Sequence, residues 1–265
     1  MSTSLLTLPD DVSVTAIPAF TDNYIWCLHN NVDAVIVDPG DAEPVLRFLK
    51  QQNLKLAAIL ITHHHHDHTG GITRLTSTRP AIPVIGPRGN HIRGITKSVT
   101  QGDTVHLPVI NCEFTVMEIP GHTLDHIAFY GHGAIFCGDT LFAAGCGRLF
   151  EGSSEQMAHS LSKLKRLPDN TKVYCAHEYT LANIKFAREV EPNNTVLRDY
   201  EIWARQQRDQ NNVTLPSDIA TQKAVNPFLR CQHEEVRSAA QAKSEHKLRD
   251  DVAVFAALRS WKDKF

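Results

Sequence analysis

The fold and the chemistry of this chain depend on one stretch, Thr62-His63-His64-His65-His66-Asp67-His68-Thr69-Gly70-Gly71. Residues 63–68 are five histidines and one aspartate. The apolar run of residues 56–61 precedes them and predicts a short buried strand. After the glycine pair, Ile72 and Leu75 have the spacing of the first turns of a helix. The histidine stretch is therefore predicted to be a strand-to-helix loop, where α/β proteins usually display functional groups.

The spacing of the polar residues in this loop favours two metal ions. Alternate side chains of an extended backbone point the same way, so His63 and His65 can face one ion while His64 points elsewhere. Asp67 and His68 follow the turn and can face a second ion beside the first. Imidazole nitrogens and carboxylate oxygens are donors that zinc, iron and manganese accept, and zinc is the expected metal.

A histidine run also has simpler interpretations. It could be a solvated loop or an expression tag, although a tag is not expected in mid-chain between an apolar strand and a glycine pair. For His64 and His66 the simpler interpretation is preferred, and we expect them to pack against or support the ligands.

The composition excludes several classes of protein. The chain has 265 residues, of which 42% are hydrophobic and 21% charged, enough for one large domain or a domain with a smaller companion. The net charge is −2, which offers no basic excess for nucleic acid or anionic lipid. Neither a secretory signal nor an apolar run of membrane-spanning length is seen. We expect a cytoplasmic monomer that binds neither nucleic acid nor membrane.

The cysteines point to a reducing compartment. The six thiols form no Cys-x-x-Cys pair, and Cys137 and Cys175 lie in apolar strand-like runs. Cys146, in a glycine-rich loop, could be a nucleophile, but a small packing residue is the preferred interpretation.

The predicted secondary structure changes near residue 177. Two successive strand-rich blocks precede this point, and each ends in polar loops. They suggest two similar halves packed face to face with helices outside. After it, helical patterns occur at about 181–190, 195–210, 233–243 and 250–262, and no convincing strand is predicted. The predicted domains are 1–177 and 178–265.

Further candidate ligands follow other apolar strand patterns directly. They are His122, Asp139 and His177. Asp139 has two carboxylate oxygens and could bridge two ions, whereas a histidine after Pro-Gly could also be an ordinary turn residue. Asp38 also stands at a strand end, where it could support the ligands or simply form a turn before Pro39.

These motifs resemble the metallo-β-lactamase superfamily, whose fold is a four-layer αβ/βα sandwich. Over nearly the whole chain the resemblance is narrower, to the glyoxalase II family of hydroxyacylglutathione hydrolases, which adds a smaller all-helical C-terminal domain. The segments that carry it are Gly121–Thr123, Gly138–Phe142, Gly145–Arg148, His177–Thr180, Asn226–Phe228 and Leu258–Asp263.

The resemblance implies specific roles for the candidate residues. Metal one would be held by His63, His65, His122 and Asp139. Metal two would be held by Asp67, His68, His177 and Asp139. Asp67 would also orient the attacking hydroxide. Glutathione contacts would map onto Arg148, Tyr179, Arg259 and Lys262.

Simpler roles remain open for the substrate residues, and the chain departs from its relatives at three positions. Tyr179 could only pack, and Arg259 and Lys262 could be a solvated helix end, where cations are favoured. Some relatives have Lys, Tyr and Gly where this chain has Arg148, Phe150 and Asp125. Phe150 lacks a hydroxyl that could contact substrate.

The implied activity is hydrolysis of S-(2-hydroxyacyl)glutathione, with S-D-lactoylglutathione as the expected substrate, in the second step of methylglyoxal detoxification. The alternatives within the superfamily are a β-lactamase and a sulfur dioxygenase. The former commonly has Cys where Asp139 stands, and the latter is expected to lack the terminal Arg-x-x-Lys helix. Metal storage or nucleic-acid binding is the alternative from another class.

Overall fold

The computed structural model describes residues 7–77, 79, 81–89 and 91–265. The chain divides into two compact units. Unit 1 runs to Glu118 and also contains Asp125–Gly138, and unit 2 contains Ile119–Leu124 and Asp139–Phe265. No helix in the described part of the chain is long and apolar enough to cross a membrane.

Besides a 3-10 helix at Pro108–Ile110, unit 1 combines strands with three short α-helices among its described residues. In chain order they are β1 (Ser13–Ala19), β2 (Asn23–His29), β3 (Asp33–Val37), α1 (Ala42–Gln51), β4 (Lys55–Leu60), α2 (His66–Thr69), α3 (Ile72–Ser77), β5 (Val84–Pro87), β6 (Lys97–Val99), β7 (Thr104–Leu107), β8 (Cys112–Glu118), β9 (Ile127–Gly131) and β10 (Ala134–Gly138).

The first sheet of unit 1 has the order β1-β2-β3-β4-β5-β6. Strands β1 to β3 pair antiparallel, and β3 to β6 pair parallel. Strands β3 and β4 consist mainly of buried apolar residues, as parallel strands covered on both faces require. Val45 and Leu49 of α1 and Ile72 and Leu75 of α3 join the buried core of this sheet. The carboxyl ends of β3 and β4 therefore lie side by side and carry the Asp38 turn and the histidine loop.

Strands β7 to β10 of unit 1 pair antiparallel in sequence order. Strand β8 alternates buried and exposed side chains through most of its length, as a strand with one solvated face does. Phe114 and Phe136 contribute fully buried rings that meet nearly edge to face. This packing fixes the end of β10, after which Asp139 follows.

Unit 2 is mainly helical. Its elements are β11 (Leu141–Phe142), β12 (Gly145–Cys146), α4 (Ser154–Lys165), β13 (Lys172–Cys175), α5 (Thr180–Val190), α6 (Thr195–Asp209), β14 (Ser217–Asp218), α7 (Ile219–Val225), α8 (Glu234–Gln241) and α9 (Asp251–Asp263). Helix α4 begins with the capping box of Ser153 and Gln156 that the sequence predicts. Helices α5, α6 and α7 share a core that includes Ile184, Leu197 and Val225.

Most predicted elements are confirmed, with two corrections. The four helices predicted after residue 177 correspond to α5, α6, α8 and α9 and lie within two residues of the predicted bounds, whereas α7 was not predicted. The expectation of no strand after residue 177 is wrong, because Ser217 and Asp218 pair with Lys172 and Val173. Two-residue strands carry no periodicity by which a sequence could reveal them. The second correction is that α2 begins at His66, inside the histidine run. The predicted domain boundary at residue 177 stays a prediction.

Candidate metal centre

The histidine loop is held against the turn after β3 by close backbone contact. Asp38 donates its backbone N–H to the carbonyl of Leu60, and Gly71 donates to Pro39. A Cβ placed on Gly40 would lie 1.8 Å from the carbonyl oxygen of Asp67. Only glycine allows this approach, so the Asp-Pro-Gly turn fixes the position of the ligand-bearing backbone.

Four predicted ligands form a cluster within unit 1. His63 Nε2 lies 3.1 Å from His65 Nδ1, and the centroids of the His63 and His68 rings are 4.1 Å apart. His68 Nε2 lies 3.4 Å from Asp67 Oδ2. His63 and His68 are fully buried. The loop thus gathers imidazole nitrogens and a carboxylate within a few ångströms, as the alternation of the sequence predicts.

The carboxylate of Asp38 orients two of these histidines. Asp38 Oδ2 accepts from Thr62 Oγ1 at 2.7 Å and lies 3.1 Å from His68 Nδ1. Thr62 Oγ1 lies 3.1 Å from His63 Nδ1. Because the Thr62 hydroxyl donates its proton to Asp38, it can only accept from His63. In the neutral tautomers both Nδ1 atoms carry the proton, so the lone pairs of His63 and His68 that can coordinate a metal are those of Nε2.

Asp38 adopts a left-handed backbone conformation with φ of 54°. Asp and Asn tolerate this region better than most residues. A second bond ties the same side chain to the loop, since Asp38 Oδ1 accepts from the Thr62 backbone N–H at 2.8 Å. Of the two interpretations left open by the sequence, the contacts favour support of the ligands.

Two contacts in this cluster were not predicted from the sequence. Asn23 donates its side-chain amide to Asp67 Oδ2 at 3.0 Å. The His126 ring stacks on His63 with centroids 4.5 Å apart. Asn23 is 44 positions from its partner and His126 lies beyond several strands. In the sequence, the only signal for Asn23 and His126 was that a polar side chain stands at the end of a strand.

His64 and His66 take different positions, and the expectation that they pack against or support the ligands stays a prediction. His64 Nδ1 lies 3.1 Å from Asp125 Oδ1, and His66 is exposed at the start of α2. Asp125, which departs from the pattern of relatives, thus has a partner in His64, the residue between two predicted ligands.

The remaining three predicted ligands form a cluster within unit 2. Asp139 Oδ2 lies 3.4 Å from His122 Nε2 and 3.3 Å from His177 Nε2. His122 Nδ1 lies 2.8 Å from the carbonyl oxygen of Arg148 and donates to it, because a carbonyl can only accept. The Nε2 lone pair of neutral His122 therefore faces a carboxylate oxygen. These two electron-rich atoms repel each other, and a cation bound to both would make their approach favourable.

Aromatic rings lie against His122 and His177, the two predicted ligand histidines of unit 2. Tyr179 stacks on His177, and Phe142 meets the His177 ring edge-on at 5.9 Å. Phe150 meets His122 edge-on at 5.2 Å and is largely exposed. The residue that lacks the hydroxyl of some relatives therefore contacts a predicted ligand.

The donor set fits divalent metal ions. Each of the seven predicted ligands belongs to at least one group of side chains that could hold an ion. The donors are imidazole nitrogens and carboxylate oxygens, without thiolates, a set that suits zinc, iron or manganese. The orientation of His63, His68 and His122 by their Nδ1 contacts matches the way metal-binding histidines are usually held.

Arg148, Arg259 and Lys262, the predicted substrate cations, lie near one another in unit 2. Arg259 Nη2 and Arg148 Nε both approach Asp263 Oδ1, at 3.0 and 3.8 Å. Arg259 and Lys262 both lie over the Phe228 ring, at 5.3 and 5.7 Å from its centroid. Arg148 is the most exposed of the three, with 67% of its side-chain surface accessible.

The alternative of a solvated helix end does not describe Arg259 or Lys262. Arg259 is only 4% exposed, and its Nη1 donates to the Cys146 carbonyl at 2.9 Å. The Lys262 ammonium donates to Asn183 Oδ1 and lies near the Phe186 and Phe228 rings. Burial lowers the pKa of Lys262 to about 8. Arg259 therefore joins α9 to β12 as well as contributing charge.

Asn226, the first residue of the Asn-Pro-Phe segment, has a structural role. Its side-chain amide donates to the carbonyls of Phe142 and Gly145 at 3.2 and 2.9 Å, so it holds the β11–β12 hairpin that precedes Arg148. Cys146 is buried, and burial raises the pKa of its thiol. The structure thus favours Cys146 as a packing residue.

Two family models match consecutive parts of the chain. The model described as metallo-beta-lactamase superfamily matches residues 22–177, and the hydroxyacylglutathione hydrolase C-terminus matches residues 178–265. The predicted fold class is confirmed by these matches. Among solved structures, the BLEG-1 B3 metallo-β-lactamase superposes with a TM-score of 0.61 at 24% identity, covering 82% of this chain and 99% of its own, and it supports the fold alone.

Curated proteins with similar sequences extend over nearly the whole chain. The hydroxyacylglutathione hydrolase of Nitrosomonas eutropha is 55% identical over 96% of this chain and 99% of its own length. That of Nitrosomonas europaea is 52% identical over 96% and 97%. At this identity and coverage, the chain belongs to the hydroxyacylglutathione hydrolase family of the metallo-β-lactamase superfamily.

Proposed function

We propose that this protein hydrolyses S-(2-hydroxyacyl)glutathione to glutathione and a 2-hydroxy acid. S-D-lactoylglutathione is the expected substrate, and the reaction would be the second step of methylglyoxal detoxification. The observation that carries the proposal is the 55% identity to a hydroxyacylglutathione hydrolase across 96% of the chain. The match of residues 178–265 to the family's C-terminal domain argues against the β-lactamase and sulfur dioxygenase alternatives.

The proposed centre holds two divalent ions, with zinc expected. His63, His65, His122 and Asp139 would bind one ion, and Asp67, His68, His177 and Asp139 the other. The Nδ1 contacts of His63, His68 and His122 support this assignment because they place the ring proton on Nδ1 and turn Nε2 toward other predicted ligands. Asp139 would bridge, consistent with its oxygen lying at similar distances from His122 and His177.

When bound, the two ions would supply Lewis acidity, which lowers the pKa of water toward neutrality and polarises a carbonyl group. The residues of the chain position the reactants. Asp67 would orient the attacking water, and Asn23 supports this role by donating to one carboxylate oxygen. The water loses one proton as its oxygen bonds to the carbonyl carbon; the carbon–sulfur bond then breaks, glutathione leaves as a thiolate, and a proton from solvent restores the thiol. A thiolate is a fair leaving group, so no strong general acid is required.

The cations of unit 2 would bind the peptide part of the substrate. Glutathione carries two carboxylates and one ammonium. Arg148 and Arg259 suit carboxylates through paired N–H groups, whereas Lys262 supplies a point charge. Tyr179, with about a third of its surface exposed, would add a contact from its ring or hydroxyl. In this assignment residues 1–177 form the catalytic domain and residues 178–265 complete the substrate site. A cytoplasmic monomer that does not bind nucleic acid remains part of the proposal.

A thioester hydrolysis assay on protein of measured metal content tests the proposal. We expect saturable hydrolysis of S-D-lactoylglutathione, about two metals per chain at full activity, and loss of both after chelation. A β-lactam and glutathione persulfide serve as comparison substrates. Preferred turnover of either one, or saturation of activity at one metal, would contradict the proposal.

A further inference from the structure

The last turn of α9 places a carboxylate among the cations that the proposed function assigns to glutathione. Asp263 Oδ1 accepts from Arg259 Nη2 at 3.0 Å and lies 3.8 Å from Arg148 Nε. The Asp263 side chain retains 43% of its surface, so its carboxylate is open to a ligand. The cation cluster of Arg148, Arg259 and Lys262 thus carries a net charge of about +2 rather than +3 when all groups are ionised.

Helix stability does not explain an aspartate at this position. The carboxyl end of a helix favours cations and disfavours anions. Asp263 is the last residue of α9, and it follows its i,i+4 partner Arg259 in the less favourable order for a helical ion pair. A site that binds only carboxylates would also bind them more tightly without a negative charge beside it. The position therefore points to a role in the choice of ligand.

We infer that Asp263 is a specificity-determining residue that selects a zwitterionic thiol carrier over a polyanionic one. This inference rests on the proposed function. Glutathione combines two carboxylates with an ammonium group, which an exposed carboxylate attracts. The phosphates of coenzyme A thioesters would meet the same arginines but would be repelled by Asp263. Specificity of this kind arises from a repulsive element placed beside attractive ones.

Two substitutions separate the charge of Asp263 from its contact with Arg259. Asp263→Asn removes the charge but retains an oxygen that can accept from Arg259 Nη2. Asp263→Ala removes both. The matched control is Asp251→Asn at the other end of α9, where an exposed carboxylate pairs with Arg237 at 2.7 Å. It removes the same charge outside the cation cluster.

The experiment measures inhibition constants against lactoylglutathione hydrolysis. The inhibitors are S-methylglutathione, N-acetyl-S-methylglutathione and S-methyl-coenzyme A, which lack a free thiol that could coordinate metal. In Asp263→Asn we expect the inhibition constant of S-methyl-coenzyme A to fall relative to that of S-methylglutathione by about threefold to tenfold. The substitution removes an attraction to one inhibitor and a repulsion of the other, each worth up to about fivefold for a partly exposed charge. The preference of the wild type for S-methylglutathione over its N-acetyl form should disappear. Asp251→Asn should behave as wild type, and metal content should be equal in all variants.

Unchanged inhibitor ratios in Asp263→Asn would overturn the inference. So would a loss confined to Asp263→Ala that affects all three inhibitors equally, because Asp263 would then only position arginines. Failure of the proposed function gives a different result, since the wild type would not hydrolyse lactoylglutathione at all.

Discussion

The rings of Tyr179 and His177 lie face to face, with centroids 4.6 Å apart and planes inclined by 7°. Phe142 meets the Tyr179 ring edge-on at 5.2 Å and the His177 ring at 5.9 Å. A proposed metal ligand is therefore held between aromatic side chains. Tyr179 supports His177 in addition to any contact with substrate.

Replacement of Tyr179 should separate these two roles. Tyr179→Leu should weaken one of the two metal sites by about twofold to tenfold, the range of an aromatic pair. Tyr179→Phe should retain metal affinity and raise KM for lactoylglutathione if the hydroxyl contacts substrate. Competition with a chromophoric chelator measures metal affinity apart from activity. Equal metal affinities for the wild type and Tyr179→Leu would show that the stack does not support the ligand.

The sequence predicted the elements whose residue pattern is strong. The buried runs that form β3 and β4 have the expected positions, and so do four of the five C-terminal helices, α7 being the one that was not predicted. In the histidine run, alternation also distinguished His64, which contacts Asp125, from His63 and His65, whose ring nitrogens face each other. The strand and helix predictions succeeded because they depend on local periodicity.

The features of the site that the sequence did not predict depend on contacts between distant parts of the chain. The bond of Asn23 to Asp67 has no counterpart in local periodicity. The sequence left a solvated helix end open as an alternative role for Arg259, whereas the tertiary structure buries this residue against Cys146. The Thr62 hydroxyl links His63 to Asp38 through a geometry that only the folded turn creates.

Asp38→Asn should loosen both metal sites. In asparagine an NH2 group replaces one carboxylate oxygen, so a donor then faces either the Thr62 backbone N–H or the pair of His68 Nδ1 and Thr62 Oγ1, depending on how the amide is turned. Asn also tolerates the left-handed backbone, so the fold should be retained. We expect about a tenfold to hundredfold loss of metal affinity, as for other groups that orient metal-bound histidines. Metal titration and circular dichroism measure the two properties.

The control for Asp38 is Asp41→Asn. Asp41 caps α1 through the Glu43 backbone N–H, and Asn caps a helix equally well. Metal affinity should be unchanged in this variant. An equal loss in Asp38→Asn and Asp41→Asn would mean that the turn as a whole, and not the Asp38 carboxylate, determines affinity.

His64 and His65 provide a direct test of the ligand register. His65→Ala removes a ring nitrogen that lies 3.1 Å from His63 Nε2, so metal and nearly all activity should be lost. His64→Ala removes a side chain that contacts Asp125 and should keep both. Elemental analysis after gel filtration, with steady-state assays, compares the variants. Retention of metal by His65→Ala but not by His64→Ala would refute the assigned register.

The ammonium of Lys262 lies near the Phe186 and Phe228 rings, and burial lowers its pKa to about 8 from an ordinary value of 10.5. Below this pH the group is charged in the free enzyme, and above it the neutral amine predominates. If the charge binds a substrate carboxylate, kcat/KM should fall as pH rises through about 8, because this ratio reports groups of the free enzyme. The bound carboxylate raises the pKa again, so kcat should change less than KM.

Lys262→Arg tests this assignment, because a guanidinium stays charged throughout the accessible range. The decline of kcat/KM near pH 8 should disappear in this variant, even if its KM at pH 7 is altered by the different shape of the side chain. Lys172→Arg, in a pair with Asp218 on β13 and β14, is the control and should retain the decline. Rates are corrected for spontaneous thioester hydrolysis, which hydroxide accelerates. A decline that persists in Lys262→Arg would assign the titration to another group and would leave Arg148 and Arg259 as the cations that bind the substrate.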